Sequence, residues 1–311
     1  MKHLAIRLPN WLGDVIMTLP TLNALTSAGI TFELFGKPWI KDFFSGYDYH
    51  VHALPSNFWQ IRETYQKANI SHCVLLTNGL SSALHLSHTG IKAIGYRANG
   101  RQILLHQSLK KQTGLHEIEC FWQLTQFAVN QPLIPPKKTI LIISDYYIAK
   151  AVALLKKHQI KKEFVVICPG SAGLGLNKMS KVWPHWRLLT DRLLQEGKQI
   201  IACPGPFETL PFKQLLPKEV LILPDLNIPM FAAIMACAAQ VIANDSGPMH
   251  LAAAVQTPVL GIFGQTDPQR CRPWGGEFIG RLFQWPSCEE VLLRLKSPPH
   301  LPVSNRNDYD R

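Results

Sequence analysis

Short apolar strands alternating with helical stretches, in two successive series, constrain this chain more than any other feature of its sequence. The first series opens with a strand over Leu4–Arg7, a loop, and an apolar-periodic helix over Val15–Thr26. Strands over Thr31–Leu34, Cys73–Leu76 and Ala93–Tyr96 follow. A proline-rich run, Gln131-Pro132-Leu133-Ile134-Pro135-Pro136-Lys137-Lys138, closes the series. The second series has strands over Phe164–Cys168, Gln199–Cys203, Val220–Leu223, Gln240–Ala243 and Pro258–Phe263. Its clearest helix, Trp186–Glu196, ends at Gly197, a glycine placed to close a helix in the left-handed region. Strands that are apolar throughout and spaced by helices make parallel sheets covered on both faces. The chain is therefore expected to be α/β, with two doubly wound, Rossmann-like domains facing across a cleft, residues 1–150 and 151–311. Ligands in such domains bind in loops at the carboxyl ends of the strands.

Charge narrows the ligand class. Lysine and arginine total 32 against 21 acids, a net charge of +11, which suits an anionic partner. The cationic residues do not interleave with aromatics and no nucleic-acid module is present, so nucleic acid is not expected. The seven cysteines are scattered with no Cys-x-x-Cys pair, so neither a zinc site nor a disulfide framework is expected, and buried reduced thiols point to a cytoplasmic setting. The N-terminus meets a charge too early for a signal peptide. The longest apolar stretch, Ile228–Ala243, is 16 residues with Pro229 and Gln240 inside, short of the roughly 20 that a spanning helix needs.

Four segments carry chemistry. Asn244-Asp245-Ser246-Gly247-Pro248-Met249-His250 follows a strand and opens a helix. Asp245 or Ser246 can cap that helix; alternatively its free N–H groups and dipole form a diphosphate site. Cys168-Pro169-Gly170-Ser171 and the later Lys181-Val182-Trp183-Pro184 suit a phosphate cradle, without the spacing of a Walker A or dinucleotide fingerprint. Asn10-Trp11-Leu12-Gly13-Asp14 places a carboxylate at a helix start, where it acts either as a cap or as a general base. Finally, Ile91–Lys111 holds Lys92, Arg97, Arg101, Lys110, Lys111 and His106 without one acid. That run reads as a solvated face, or as a place where Arg97 and Arg101 grip a carboxylate or phosphate from either side of Ala98-Asn99-Gly100.

Taken together, and in chain order from residue 4 to about residue 268, the segments resemble the family 9 glycosyltransferases, the bacterial ADP-heptose:lipopolysaccharide heptosyltransferases. Gly264-Gln265-Thr266-Asp267-Pro268, Asn78-Gly79-Leu80-Ser81-Ser82-Ala83 and Ile94-Gly95-Tyr96-Arg97 add to the resemblance, and the opening Pro9–Asp14 is more similar to heptosyltransferase II than to heptosyltransferase I. The resemblance implies a GT-B fold with an N-terminal acceptor domain and a C-terminal donor domain. It implies inverting, metal-independent transfer of heptose from ADP-heptose, a substrate and not a cofactor, to the lipid A-core acceptor at the cytoplasmic face of the inner membrane. Asp14 is then similar to the acceptor base, and Lys181 to the lysine on the donor diphosphate. Gly170, Ser171, Asp245, Ser246, Gly247, Met249 and His250 resemble donor contacts, with Glu208 on the ribose. Asn10, Trp11, Gly13, Arg97 and Arg101 are expected on the acceptor side. A different nucleotide sugar and a non-catalytic sugar-nucleotide-binding protein are the alternatives; the second is expected to have lost Asp14 or Lys181, and both are present.

Overall fold

The protein is described by a computed structural model covering residues 3–161, 163–171, 173–175 and 178–296. The expectations for the tail Ser297–Arg311, and for part of the 172–180 loop, fall outside the described residues. The chain divides into two compact units, residues 1–144 and 145–311.

The first unit runs β1 (His3–Arg7), α1 (Leu12–Ser27), β2 (Thr31–Gly36), α2 (Ile40–Phe43), β3 (His50–Ala53), α3 (Phe58–Lys67), β4 (His72–Leu75), α4 (Leu80–Leu86), β5 (Lys92–Tyr96), β6 (Gln107–Leu109) and α5 (Glu117–Val129). Its six strands pair in the order β3-β2-β1-β4-β5-β6, every pairing parallel. Leu4, Ala5 and Ile6 of β1 and Cys73, Val74 and Leu75 of β4 are all buried, as a sheet covered on both faces requires. Burying such an aliphatic side chain contributes roughly 1.5–3 kcal/mol.

The second unit runs α6 (Asp145–Lys157), β7 (Val165–Cys168), α7 (Trp186–Gln195), β8 (Ile200–Ala202), α8 (Thr209–Leu215), β9 (Leu221–Ile222), α9 (Ile228–Cys237), β10 (Gln240–Asn244), α10 (Gly247–Ala254), β11 (Val259–Ile262), α11 (Pro268–Cys271), β12 (Glu277–Ile279) and α12 (Cys288–Lys296). Its strand order is β12-β11-β10-β7-β8-β9, again all parallel. Renumbered from its first strand and read from β9 to β12, this is the same 3-2-1-4-5-6 order as the first unit. Both units thus follow the doubly wound pattern that the sequence predicts, and each has a switch point: between β1 and β4, and between β7 and β10.

Local signals behave as their chemistry demands. Gly197 stands at φ +77°, and the Lys198 and Gly197 amides donate to the carbonyls of Leu193 and Leu194, closing α7. Three differences from the sequence reading stand out. β3, β6 and β12 are additional strands, each three or four residues long and each at a sheet edge. α1 begins at Leu12, three residues before the expected start, so Gly13 and Asp14 are inside the helix. The division expected at 150/151 falls inside α6, which packs as a whole on α9 of the second unit, so the boundary moves to 144/145.

Candidate active site

In the first unit, the loop leaving β1 lies at the switch point. Arg7, buried at the end of β1, donates from Nη2 to Asn10 Oδ1 at 2.8 Å and from Nη1 to the Leu8 carbonyl, so one guanidinium shapes the turn. Trp11 occupies the N-cap position of α1 without a side-chain cap and is 61% exposed, with the Lys37 ammonium 5.9 Å from its ring centroid. Asp14 is not the cap. It is the third helical residue, half-buried, where the positive end of the helix dipole favours its charge.

Arg97 leaves the carboxyl end of β5 and is exposed, its Nε donating to Ser108 Oγ at 3.2 Å. The turn that follows uses left-handed backbone at Asn99 and Gly100 (φ +49° and +74°). Arg101 corrects the sequence reading. It is fully buried, donating to the carbonyls of Tyr96 (2.9 Å) and Thr77 (2.5 Å), and burial pulls its pKa below the usual arginine value. Its side chain ties the loops after β4 and β5 together from beneath and is not presented to an acceptor.

In the second unit, the loops after β7 and β10 flank the switch point, and Asn244 joins them. Its Oδ1 accepts from the Trp183 backbone N–H (3.1 Å) and the Trp186 indole (3.0 Å), while its Nδ2 donates to the Pro169 carbonyl. Both tryptophans are fully buried and meet edge to face, centroids 5.6 Å apart. Next to this junction, Lys181 Nζ lies 2.8 Å from Asp245 Oδ2. Thr266 Oγ1 donates to that same oxygen at 2.6 Å, and Cys271 Sγ approaches Oδ1 at 3.6 Å. Burial first, then the Asp245 charge, pushes the Cys271 thiol far above its usual range, so it stays a neutral thiol.

With Asp245 engaged this way, α10 begins without a side-chain cap. Ser246 is the N-cap residue, but its hydroxyl donates to the Asn244 carbonyl at 3.3 Å. The capping reading of this segment is thus not the one that the fold adopts. Met249 is a second correction: it is fully buried, and a Cβ built on Gly261 of β11 would lie 2.5 Å from its sulfur. Met249 packs beneath the loop and does not line it. His250, one position on, is buried as well.

Between the loops after β7 and β8, Gly170 and Glu208 touch. A Cβ at Gly170 would stand 2.3 Å from Glu208 Oε1, so only glycine leaves room for the carboxylate, which also accepts from the Gly205 amide at 2.8 Å. Ser171 Oγ donates to the Gly173 carbonyl at 3.3 Å. The second unit therefore gathers Gly170, Ser171, Lys181, Glu208, Asp245 and Ser246 around the carboxyl ends of β7, β8 and β10. The sequence reading missed Asn244, Thr266 and Cys271 as members of this cluster. The signal for Asn244 was Trp186, a tryptophan destined for a core, whose indole N–H needs an acceptor when buried.

The family model for glycosyltransferase family 9 (heptosyltransferase) matches residues 59–284, well over half of the chain. The chain belongs to this family. The lipooligosaccharide heptosyltransferase 2 of Haemophilus influenzae is 27% identical to this family 9 chain over 236 residues, covering 68% of the chain and 64%, just under two thirds, of that protein. Among solved structures, ADP-heptose lps heptosyltransferase II of E. coli superposes with a TM-score of 0.78 at 20% identity, covering 95% of this chain and 97% of that one. E. coli heptosyltransferase WaaC with ADP superposes with a TM-score of 0.71 at 19% identity, covering 94% and 98%. The fold of this family 9 member is thus that of the GT-B heptosyltransferases.

Proposed function

We propose that this family 9 chain transfers heptose from ADP-heptose to the lipopolysaccharide inner core, adding the second heptose, with inversion and without a metal. The observation that carries the proposal is the uncapped start of α10 beside Lys181 at the switch point of the second unit. The positive end of the α10 dipole and an ammonium together favour a diphosphate. The WaaC structure with ADP supports the same class of donor. In this reading the first unit binds the acceptor and the second binds the donor.

Asp14 takes the proton of the acceptor hydroxyl as that oxygen bonds to the anomeric carbon of the heptose. The bond from that carbon to the diphosphate breaks in the same displacement, and ADP carries away the electron pair. Negative charge grows on the leaving phosphate, where Lys181 and the start of α10 offset it. The lysine's ammonium has three N–H donors and spends one on Asp245, so two remain for phosphate oxygens. Glu208 is placed to accept from the ribose hydroxyls, and Asn10, Trp11, Gly13 and the exposed Arg97 face the acceptor. Asp308-Tyr309-Asp310, the one Asp-x-Asp triplet in the sequence, lies in the tail outside the described residues and has no part in this proposal.

The acceptor sits in a membrane, and no described helix is long and apolar enough to cross one. We place the protein at the cytoplasmic face of the inner membrane as a peripheral enzyme, with its positive charge toward the anionic core. The test is an assay of purified protein with ADP-heptose and defined core acceptors carrying zero or one heptose. Gain of one heptose by the singly substituted acceptor, with release of ADP, is expected. Transfer only to the heptose-free acceptor overturns the position assigned, and transfer only from a UDP-sugar overturns the donor.

A further inference from the structure

The first sheet holds a second cluster of functional groups, running across β1, β2 and β3 from His3 at the start of β1 to His52, whose register partner Phe35 pairs with Arg7. About 13 Å of strand separates His3 from Arg7. Strand register builds the cluster: His3 pairs with Thr31, Glu33 with His50, and Phe35 with His52. Paired positions and positions two apart share a face of a sheet, so His3, Thr31, Glu33, His50 and His52 all project the same way.

Three imidazoles converge on one carboxylate. His3 Nε2 lies 3.0 Å from Glu33 Oε1, while His52 Nε2 and His50 Nδ1 lie 2.5 and 3.9 Å from Oε2. One ligand atom from each of Glu33, His50 and His52 falls within 4.8 Å of the other two. Around a tetrahedral zinc, with bonds near 2.0–2.2 Å, ligand atoms stand about 3.3 Å apart, so the observed separations bracket that value.

The surroundings orient the rings. The His3 Nδ1 atom is 2.9 Å from Thr31 Oγ1, which fixes one nitrogen and leaves Nε2 toward Glu33, the place of an outer partner to a metal-bound carboxylate. His52 stacks between His50 (4.5 Å, 18°) and Phe35 (4.3 Å, 11°), and Phe35 stacks in turn on buried Tyr65. Glu33 and His52 are mostly buried, whereas His50 and His3 open to solvent and give an ion a way in.

We propose that Glu33, His50 and His52 bind one divalent transition-metal ion of the zinc type, with His3 holding the Glu33 carboxylate beside them. Imidazole and carboxylate donors together suit such an ion better than calcium or magnesium, which take oxygen ligands. The ion clips the short edge strand β3 to β2. The proposal gives it no part in the transfer reaction.

The test uses the full chain, freed of any polyhistidine tag and treated with chelator, and titrated with Zn(II) by calorimetry. Wild-type protein is expected to bind one Zn(II), to show the ligand-field absorption of a four- or five-coordinate nitrogen–oxygen site with Co(II), and to melt higher with Zn(II). The double variant His50→Ala/His52→Ala is expected to lose the Co(II) signal and the thermal shift. Glu33→Gln, close in shape, provides an independent check and is expected to weaken Zn(II) binding at least about tenfold, with Thr31→Val weakening it less, through the His3 ring. Circular dichroism without metal establishes that each variant is folded. Equal Zn(II) affinity in wild type and in folded double variant, or no saturable binding by wild type, overturns the proposal.

Discussion

Lys181 and Asp245 are 64 residues apart in the chain and 2.8 Å apart in the fold, both largely buried. The lysine is held by a carboxylate, and the carboxylate is held by Lys181, Thr266 and Cys271. In the proposed function, Asp245 orients the cation that meets the diphosphate.

Lys181→Met removes the cation and leaves Asp245 buried with neutral donors. Breaking a buried pair from one side costs about 3–5 kcal/mol, and the residual exposure here brings the expectation to the lower end. ADP affinity, measured by calorimetry on folded protein, should fall at least about tenfold, with kcat falling alongside. Asp245→Asn keeps the lysine and should weaken ADP binding less. Unchanged ADP affinity in Lys181→Met would detach this lysine from the donor.

Asp14→Asn separates base from helix terminus. Asparagine is tolerated in a first helical turn, so stability and ADP-heptose affinity should stay near wild type. Loss of a general base should lower kcat by about 10²–10⁴-fold. Wild-type kcat in the folded variant would leave Asp14 with only its electrostatic place in α1.

The two arginines of the basic run should behave oppositely. Arg97→Ala should raise the acceptor KM and leave chemical denaturation unchanged, because its side chain is exposed. Arg101→Met should do the reverse, costing on the order of 1.5–3 kcal/mol for each charged hydrogen bond lost to a buried carbonyl. A pure KM effect in Arg101→Met would contradict its burial.

Asn244→Leu should be among the most destabilising single changes in the second unit. It leaves the Trp183 amide, the Trp186 indole and the Pro169 carbonyl without their partner, at roughly 1–3 kcal/mol per buried group. Denaturant midpoints for the variant and wild type check this.

Tyr47 gives a pH signature. Its hydroxyl donates to the Ile140 carbonyl and accepts from the Ile142 amide, and burial pushes its pKa up to about 12. The folded state thus favours the neutral phenol, so this contribution is complete below pH 10, the ordinary tyrosine value, and is lost as pH rises through about 12. Stability measured from pH 10 to 12 should fall less steeply in Tyr47→Phe than in wild type.

The sheet interiors were legible because their strands are apolar on both faces, as in Val165-Val166-Ile167-Cys168. The edges were not. His50-Val51-His52-Ala53 and Gln107-Ser108-Leu109 pair on one side only, and their composition is that of loops. The candidate site followed the same division. Asp14 stands at a helix start and Asp245 just past a strand end, where local pattern marks them, and Lys181 lies in the loop before α7. The burial of Arg101 and Met249 is a property of packing, and no spacing along the chain announces it. The partners of Asn244 are 58 to 75 residues away, beyond the reach of any local signal.

That separation also has a consequence in time. A ribosome delivers Pro169, Trp183 and Trp186 first and Asn244 later, by about 3–15 s at 5–20 residues per second. All six strands of the first unit have been made by residue 109. The second unit meanwhile waits with the Trp186 indole lacking Asn244, and the Trp183 indole waits longer, for the Pro286 carbonyl. During synthesis, the second of two large indoles stays without its buried acceptor until residue 286 has been made, an exposure of the kind that chaperones cover.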